Sequence, residues 1–480
     1  MKFYEKLRYH LYQRIANYIN RFSRYYDSCT YYGSSPKILA ILFALIDCKQ
    51  KKLIDRIEDC TDFSQKKASR DMLVLNGTFN TSFDIEELLS GIKARLNRHS
   101  RVVVILYNPY MRWLYWIADK LHIRRAPEAQ TFVSEVDLRD LAKLSHFELV
   151  SMQPLLFCPF HLFGLGKWVD SFFLLFPFLR NFSLSVVATL RPVIPETEAP
   201  SLSIVIPARN EKGNIENAIR RLPRFGNKNA EVIFVEGHST DGTWQEIERV
   251  AKLYSDQIII KCLRQTGKGK VDAVRAGFSC AEGDLLTILD ADLTMPPEML
   301  PRFYDAYCRG DADFINGSRL VYPMEGEAMR FLNRLGNIFF AKALSWVLNT
   351  RMGDTLCGTK LMTRHDYERT RAWRGDFGDF DPFGDFELLF PASILQLDLL
   401  SIPVRYRDRT YGSTNISRFR HGFMLLKMTL IGFARIKLFI HDHKAPSDET
   451  KTFMLPNFGI MDASSSALAG KARPDSAKNL

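Results

Sequence analysis

The stretch Leu286–Pro297, LTILDADLTMPP, constrains this chain more than any other. Apolar and β-prone residues run directly into Asp290-Ala291-Asp292, which puts two carboxylates one residue apart at the carboxyl end of a buried strand. In an open α/β sheet, ligands bind outside the carboxyl ends of the strands. Two anionic oxygen ligands there suit a hard divalent cation, Mg²⁺ or Mn²⁺, and through it a diphosphate. An Asp-rich turn that merely ends a strand would read the same way in isolation, so the neighbouring segments decide.

Those neighbours repeat one pattern. Ser203–Pro207 is an apolar strand that runs into Ala208-Arg209-Asn210-Glu211, and the loop opens a helix with Ile215, Ala218, Ile219 and Leu222 on one face. Ala230–Val235 is a second strand, ending in Glu236-Gly237-His238-Ser239-Thr240-Asp241-Gly242-Thr243, a turn and helix start rich in capping residues. A third strand, Gln257–Lys261, precedes Gly267-Lys268-Gly269-Lys270 and the helix Val271–Cys280. Two lysines among glycines at a helix amino terminus form a diphosphate grip. The strand ends near 207, 235 and 290 therefore gather polar loops on one edge, the layout of a doubly wound nucleotide-binding α/β domain.

SIVIPARNE, VIFVEGHSTDGT, GKGKVDAVRAGF and ILDADLTMPP, in this order and spacing, resemble the family 2 glycosyltransferases of GT-A fold over about Ser201–Phe439, and most of all their dolichyl-phosphate mannose synthase-like branch. The resemblance implies inverting transfer of a sugar from a nucleotide-sugar donor. It assigns Pro207, Arg209 and Glu211 to the first nucleotide-contacting loop, Lys268 and Lys270 to the donor, and Asp290 and Asp292 to the metal and diphosphate, with Asp292 also in a catalytic role. Glu236 stands where the family usually carries an aspartate that reads the base, which leaves the base open. Arg319 matches a phosphate-binding position, and Gly358-Thr359-Lys360 a loop beside the donor. Asp385, within Pro382–Glu387, is the candidate general base or acceptor contact, with helix capping by Asp385 or Glu387 as the structural alternative. Arg409 and Gly412 match the segment that holds a lipid phosphate, although the family's Ser-Lys is here Thr414-Asn415. Thr414 can still donate to a phosphate, and the three arginines Arg405, Arg407 and Arg409 offset the missing lysine, with a solvated basic strand edge as the alternative. A polyprenyl phosphate acceptor is expected.

The flanks are read separately. The first region alternates strands (Met72–Leu75, Arg101–Tyr107, Phe147–Met152) with helices (about 85–97, 112–121, 136–144), again an α/β architecture. LNGTFNTSFDIEELLSGIKARLNRHSRVVVILYNP and the later VDLRDLAKLSHFELVSMQPLLF resemble the second half of a class I S-adenosylmethionine-dependent methyltransferase. The family's glycine-rich cofactor turn is missing, since only Gly33 and Gly77 precede Ser90. The expectation is an incomplete, degenerate Rossmann-like domain over 1–190 that binds no S-adenosylmethionine. Arg191–Pro200, RPVIPETEAP, reads as a linker, 201–440 as the GT-A domain and 441–480 as a disordered tail. The aromatic stretch 171–182, SFFLLFPFLRNF, reads as a buried helix capping the first domain, with an exposed interfacial patch as the alternative. Phe419–Phe439 fits either a membrane interface or a core-packed helix.

Composition narrows the partners. At 480 residues the chain exceeds one ordinary core, and a net charge of +11 favours anionic partners such as a nucleotide or a lipid phosphate. It has no long Lys/Arg tract, so nucleic acid is not expected. Eight scattered cysteines without a CxxC read as free thiols of a reducing compartment. The polar amino terminus does not read as a secretory signal, and apolar runs such as Ile38–Ile46 are shorter than the ~20 residues a bilayer crossing needs. A cytoplasmic protein, peripheral at the cytoplasmic membrane face, is expected. Two alternatives to sugar transfer remain at this stage: a bifunctional methyltransferase/glycosyltransferase, which the missing glycine turn opposes, and a non-catalytic nucleotide-sugar-binding scaffold, which the retained aspartates and lysines oppose.

Overall fold

The computed structural model describes residues 2–438 apart from 33–35, 64–68, 122–128, 158–168, 171, 174, 226–229, 323–330, 378–380, 382–383, 410 and 412–417. The expected tail 441–480, Thr414 with Asn415, Pro382-Phe383 and Cys158 lie outside the described residues. Residues 1–440 pack as one compact unit built on two sheets.

The first sheet has six strands: β1 (Ser28–Tyr32), β2 (Gln50–Ile54), β3 (Asp71–Asn76), β4 (Arg101–Tyr107), β5 (Phe147–Leu155) and β6 (Ser185–Pro192). They lie in the order β2-β1-β3-β4-β6-β5, the first four parallel and β6 antiparallel to both its neighbours. The unbroken apolar run of β4 follows from burial on both faces. Val103 and Ile105 pack with Ile15, Ile19 and Phe22 of the helix Lys2–Ser23. Val102 and Val104 pack with Leu89 and Ile92 of Ile85–Lys93 and Leu138 of Glu135–Leu144. This is the Rossmann-like α/β layer that the alternating pattern implied.

The second sheet has seven strands: β7 (Leu202–Ala208), β8 (Glu231–Glu236), β9 (Ile259–Arg264), β10 (Leu285–Ile288), β11 (Phe314–Ser318), β12 (Lys360–Thr363) and β13 (Leu399–Pro403). Their order is β13-β11-β12-β10-β7-β8-β9, with only β12 antiparallel. Ile204 and Ile206 face one helical layer through Ile215, Ile219 and Ile247, while Val205 and Leu286 face the other through Val274, Phe278 and Phe386. Four parallel strands thus deliver the four motif loops to one edge, as the GT-A resemblance implied.

A layer of buried arginines joins the sheets. Arg101 is fully buried; its Nε donates to the Gln396 carbonyl at 2.7 Å and its guanidinium pairs with Asp313 at 2.5 Å. Arg191 donates to Asp398 at 2.7 Å and to the carbonyls of Gly310 and Asp311. Arg98 reaches the carbonyls of Tyr307 and Ala312, and Arg70 pairs with Asp366 at 2.9 Å. Burial alone would raise the Asp313 carboxyl, but Arg101, Arg191 and Arg98 hold it well below the usual carboxylate range. Its contribution to stability is therefore present above about pH 4 and is lost only as pH falls through that depressed value. These contacts sit at the amino ends of β11 and β13, the edge opposite Asp290 and Asp292.

Two expectations are corrected here. Arg191 and Pro192 belong to β6 and not to a linker, because pairing with Phe147 and Glu148 of β5 continues to that point. The following residues are bonded as well: Val193 N–H donates to the His146 carbonyl and Glu196 N–H to that of Cys308. The 171–182 stretch is not a buried cap, since Phe172, Phe178 and Phe182 are each more than half exposed.

Replacing Arg101 by Met leaves Asp313 as an uncompensated buried charge. Urea denaturation is expected to show a loss of about 3–5 kcal/mol, largely restored in Arg101→Met/Asp313→Leu. A single variant as stable as the native chain would show that this pair does not join the sheets.

Candidate functional site

The site begins at the end of β10. Asp290 and Asp292 are held in a tight turn: Leu293 N–H donates to the Asp290 carbonyl at 3.1 Å, and Leu293 takes φ 52°. A leucine in the left-handed region is strained. It is kept there because its side chain is 6% exposed within the core under β7 and β8. Thr294 fixes Asp292 by donating to Oδ1 through its backbone N–H at 3.1 Å and its hydroxyl at 2.8 Å.

Each carboxylate already faces a cation. Lys270, in the first turn of Gly269–Ser279, pairs with Asp290. Arg409 donates to Asp292 Oδ2 at 2.7 Å and to Glu211 Oε1 at 3.0 Å. Burial would raise Asp290, but Lys270, Lys360 and Arg319 outweigh it and hold the carboxyl below its usual range. Lys270 is raised, because Asp290 and Asp385 overcome the opposite pull of its burial. Glu211 shifts the other way: burial pushes it up, against Arg409 and the Asn214 amide that donates to it at 2.8 Å.

Gly358 closes this cluster. A Cβ at that position would collide with the Asp290 carboxylate and the Lys270 ammonium, so only glycine lets the loop lie against the pair. The adjoining Lys360 is buried, donates to the Cys357 carbonyl at 2.5 Å and pairs with Asp385. The Gly358-Thr359-Lys360 loop therefore does stand beside Asp290 and Lys270.

The first two loops lace together. Asn210 N–H donates to the Ser239 hydroxyl at 3.0 Å, and Thr240 N–H to the Asn210 side chain at 2.9 Å. Asn210 and His238 take φ 55° and 59°, and His238 Nε2 lies 3.0 Å from the Gly267 carbonyl. Glu236 is buried and accepts from the Ser239 N–H, so its longer side chain is engaged by its own loop. Pro207 is half-buried in β7, while Arg209 and Lys268 are exposed at the same edge.

The acceptor side differs from expectation. Arg319 is engaged within the chain: its Nε and a terminal nitrogen grip Asp354 at 2.7 and 3.0 Å. Asp354 is fully buried, and a charge in that position needs a partner in place. Arg319, Arg405 and Arg409 thus do not form one cluster, since Arg409 faces Asp292 and Glu211 and Arg405 is exposed. Neither Asp385 nor Glu387 caps the helix Phe386–Ile394; Asp381 accepts from the Glu387 N–H at 2.8 Å. Glu387 is paired with Arg275 and Arg374. Asp385 alone of the two carboxylates stays close to the Asp290 cluster, through Lys360 and Lys270.

Asp354, Thr294 and Asp381 escaped sequence reasoning. Asp354 lies 35 residues from Arg319 in a loop without periodicity, so nothing in the linear pattern joins them. Thr294 carried a signal, because a threonine two residues after an aspartate is the usual partner of an Asx turn.

With this geometry in place, likeness to known proteins can be stated. The description "Glycosyl transferase family 2" matches residues 203–370. A dolichol-phosphate mannosyltransferase of Pyrococcus furiosus is 34% identical over 136 residues, 28% of this chain and 37% of that protein, so the match spans well under half of its length. A dolichyl-phosphate hexose transferase of Haloferax volcanii is 29% identical over 224 residues, 46% of this chain and 89% of that protein. Among solved structures, a mannosyltransferase of Pyrobaculum calidifontis in complex with GDP-Man and Mn²⁺ has a TM-score of 0.36 at 20% identity, covering 53% of this chain and 68% of that one. Residues 203–370, which hold all four motif loops and both strand-end aspartates, are a family 2 glycosyl transferase domain.

Proposed function

We propose that this chain transfers a hexose, with inversion, from a nucleotide-sugar donor to a polyprenyl phosphate at a membrane surface. The observation that carries the reading is the pairing of Asp290 with Lys270 and of Asp292 with Arg409 at one strand end. Two carboxylates, each neutralised by a partly exposed basic side chain, suit a ligand that brings its own cation and its own anion. Lys270 and Arg409 can then turn from carboxylate to phosphate without leaving a bare charge behind.

The donor set fits Mg²⁺ or Mn²⁺: two hard oxygen ligands, with the space beside Asp290 kept clear by Gly358. Among the described residues no group of three or more His, Cys, Asp and Glu stands together, so Asp290 and Asp292 would hold a cation that the donor diphosphate also binds. The metal, when bound, offsets charge developing on the leaving diphosphate. Asp290 and Asp292 would hold it, Lys270 and Lys268 would take the phosphates, and the laced loops carrying Pro207, Arg209, Glu211 and Glu236 would receive the nucleoside.

The acceptor reading is supported by the similar dolichol-phosphate mannosyltransferase and dolichyl-phosphate hexose transferase, and by Arg405 standing exposed beyond β13. A phosphate oxygen attacks the anomeric carbon as the bond to the diphosphate breaks. No hydroxyl proton has to be removed, so Asp385, tied to Lys360, orients groups and is not required as a base. The amino-terminal unit serves as a structural partner without S-adenosylmethionine.

Activity with a panel of nucleotide-sugars and polyprenyl phosphate is expected to vanish in EDTA and return with Mg²⁺ or Mn²⁺, and Asp292→Asn to lose at least ~100-fold. Full turnover in chelator would sink the metal assignment. Gly358→Ala drives a methyl into the Asp290–Lys270 pair; it should fold normally but raise donor KM, and an unchanged donor KM would remove that loop from the site. Arg405→Ala should raise acceptor KM by about tenfold with donor KM unchanged. Arg409→Ala, at the carboxylates themselves, should disturb both. If Arg405→Ala leaves acceptor KM alone, or a soluble sugar serves equally well, the lipid phosphate reading is wrong.

A further inference from the structure

The amino-terminal unit exposes a set of rings that the sugar-transfer reading does not use. Tyr110, Trp113 and Trp116 are about 60% exposed, at 62, 59 and 59%, on and just before the helix Arg112–Lys120. Beside them lie Phe172, Phe176, Phe178 and Phe182. The two groups are bound together: the Asn108 amide donates to the Asn181 carbonyl at 3.0 Å and to the Ser183 hydroxyl at 3.0 Å. Phe176 links Phe172 and Phe178 through ring contacts of 5.2 and 5.7 Å. Cations are interleaved with the rings. Arg112 and Lys120 are exposed, Lys120 lies 4.8 Å over Trp116, and the same helix carries one carboxylate, Asp119.

The surface continues into the transferase domain. Arg180 donates to the Asn349 side chain at 3.1 Å, at the end of the helix Phe331–Leu348. That helix exposes Leu335, Phe339 and Lys342 at four- and three-residue spacing, one face. It packs on Arg418–Gly432, which exposes Phe423, Leu426, Lys427 and Leu430 while burying Leu425 and Met428. The outward faces of both helices are therefore apolar with a lysine in each.

We propose that the aromatic and basic surface of the amino-terminal unit docks this chain on an anionic lipid bilayer, with the outward faces of the two helices in the same interface. Trp, Tyr and Phe beside Lys and Arg are the side chains that settle at the headgroup level, and a net charge of +11 favours anionic lipid. No helix of the described residues is long and apolar enough to cross a membrane, so the contact is with its surface. The inference deepens the lipid-phosphate reading, since such an acceptor is carried in that plane, but it is tested apart from transfer.

The full chain should sediment with vesicles of phosphatidylcholine and phosphatidylglycerol, less with phosphatidylcholine alone, and less in high salt. Brominated lipids should quench its tryptophan fluorescence. Trp113→Ser/Trp116→Ser and Phe176→Ser/Phe178→Ser should each lower partition by about tenfold or more, while turnover of a short, water-soluble prenyl phosphate stays native. A native chain left in the supernatant and unquenched overturns the proposal. So do variants that partition as the native chain does, or a native dimer that the variants convert to monomer, which would make the patch a contact between copies. If no prenyl phosphate is ever a substrate but the vesicle results hold, the acceptor reading fails and the docking surface stands.

Discussion

Four buried arginines decide how this chain is put together. Arg70, Arg98, Arg101 and Arg191 leave the first sheet and end against carbonyls and carboxylates of the second. A guanidinium taken out of water is destabilising unless it is paired, and its fork geometry permits few arrangements. Arg101 and Arg191 are met at Nε and at both terminal nitrogens, whereas Arg70 Nε and Nη1 and Arg98 Nε are buried without a hydrogen-bond partner among the described residues. Here the acceptors include Asp313 and Asp398, which also exchange backbone bonds: Asp398 N–H donates to Asp313 Oδ2, and Asp313 N–H to the Asp398 carbonyl. The arginines thus pin the amino ends of β11 and β13 to each other as well as to the first sheet. An apolar contact would tolerate sliding; this one sets a register.

That pinning leaves the opposite edge free for chemistry. Asp290 and Asp292 stand at the carboxyl end of β10, and cations balance their charge and that of the nearby Glu211 and Asp385: Lys270 from a helix start, Arg409 from beyond β13, and Lys360. The strained Leu293 turn between the carboxylates and the core is held by packing from the same apolar layer. Local strain at the site is thus supported by burial elsewhere, the arrangement that lets two like charges remain one residue apart.

How much was legible in the sequence follows from the range of each interaction. RVVVILY was read residue for residue as β4, because a strand buried on both faces is apolar throughout. The Asp290–Asp292 turn, Lys270 and Glu211 were found because strand, loop and helix succeed one another locally. β6 was not legible, since SVVATLRP pairs with strands distant in the chain and ends in an arginine and a proline that resemble a linker. The ion pair of Arg319 was illegible for the same reason: its partner Asp354 is visible only after folding. An arginine count cannot distinguish an exposed cation from one already held by a carboxylate, and Arg405 and Arg101 show both outcomes in one chain.

The exposed rings of the first unit gain their meaning from the same arginine layer. Asn349 receives Arg180 on one side and donates to the Met152 carbonyl at 2.7 Å on the other, so the end of the helix Phe331–Leu348 is fastened to the first sheet. The Tyr26 hydroxyl donates to the Leu395 carbonyl at 3.0 Å, and Arg369 lies 4.6 Å over the Tyr26 ring. With the amino-terminal unit fixed at three places, its aromatic surface and the outward faces of the two transferase helices cannot rotate independently. A surface built across two sheets stays continuous only if their junction is rigid. The Arg180, Asn349 and Tyr26 bonds therefore add to the arginine layer in joining the part that carries Trp113 and Trp116 to the part that carries Phe339 and Phe423.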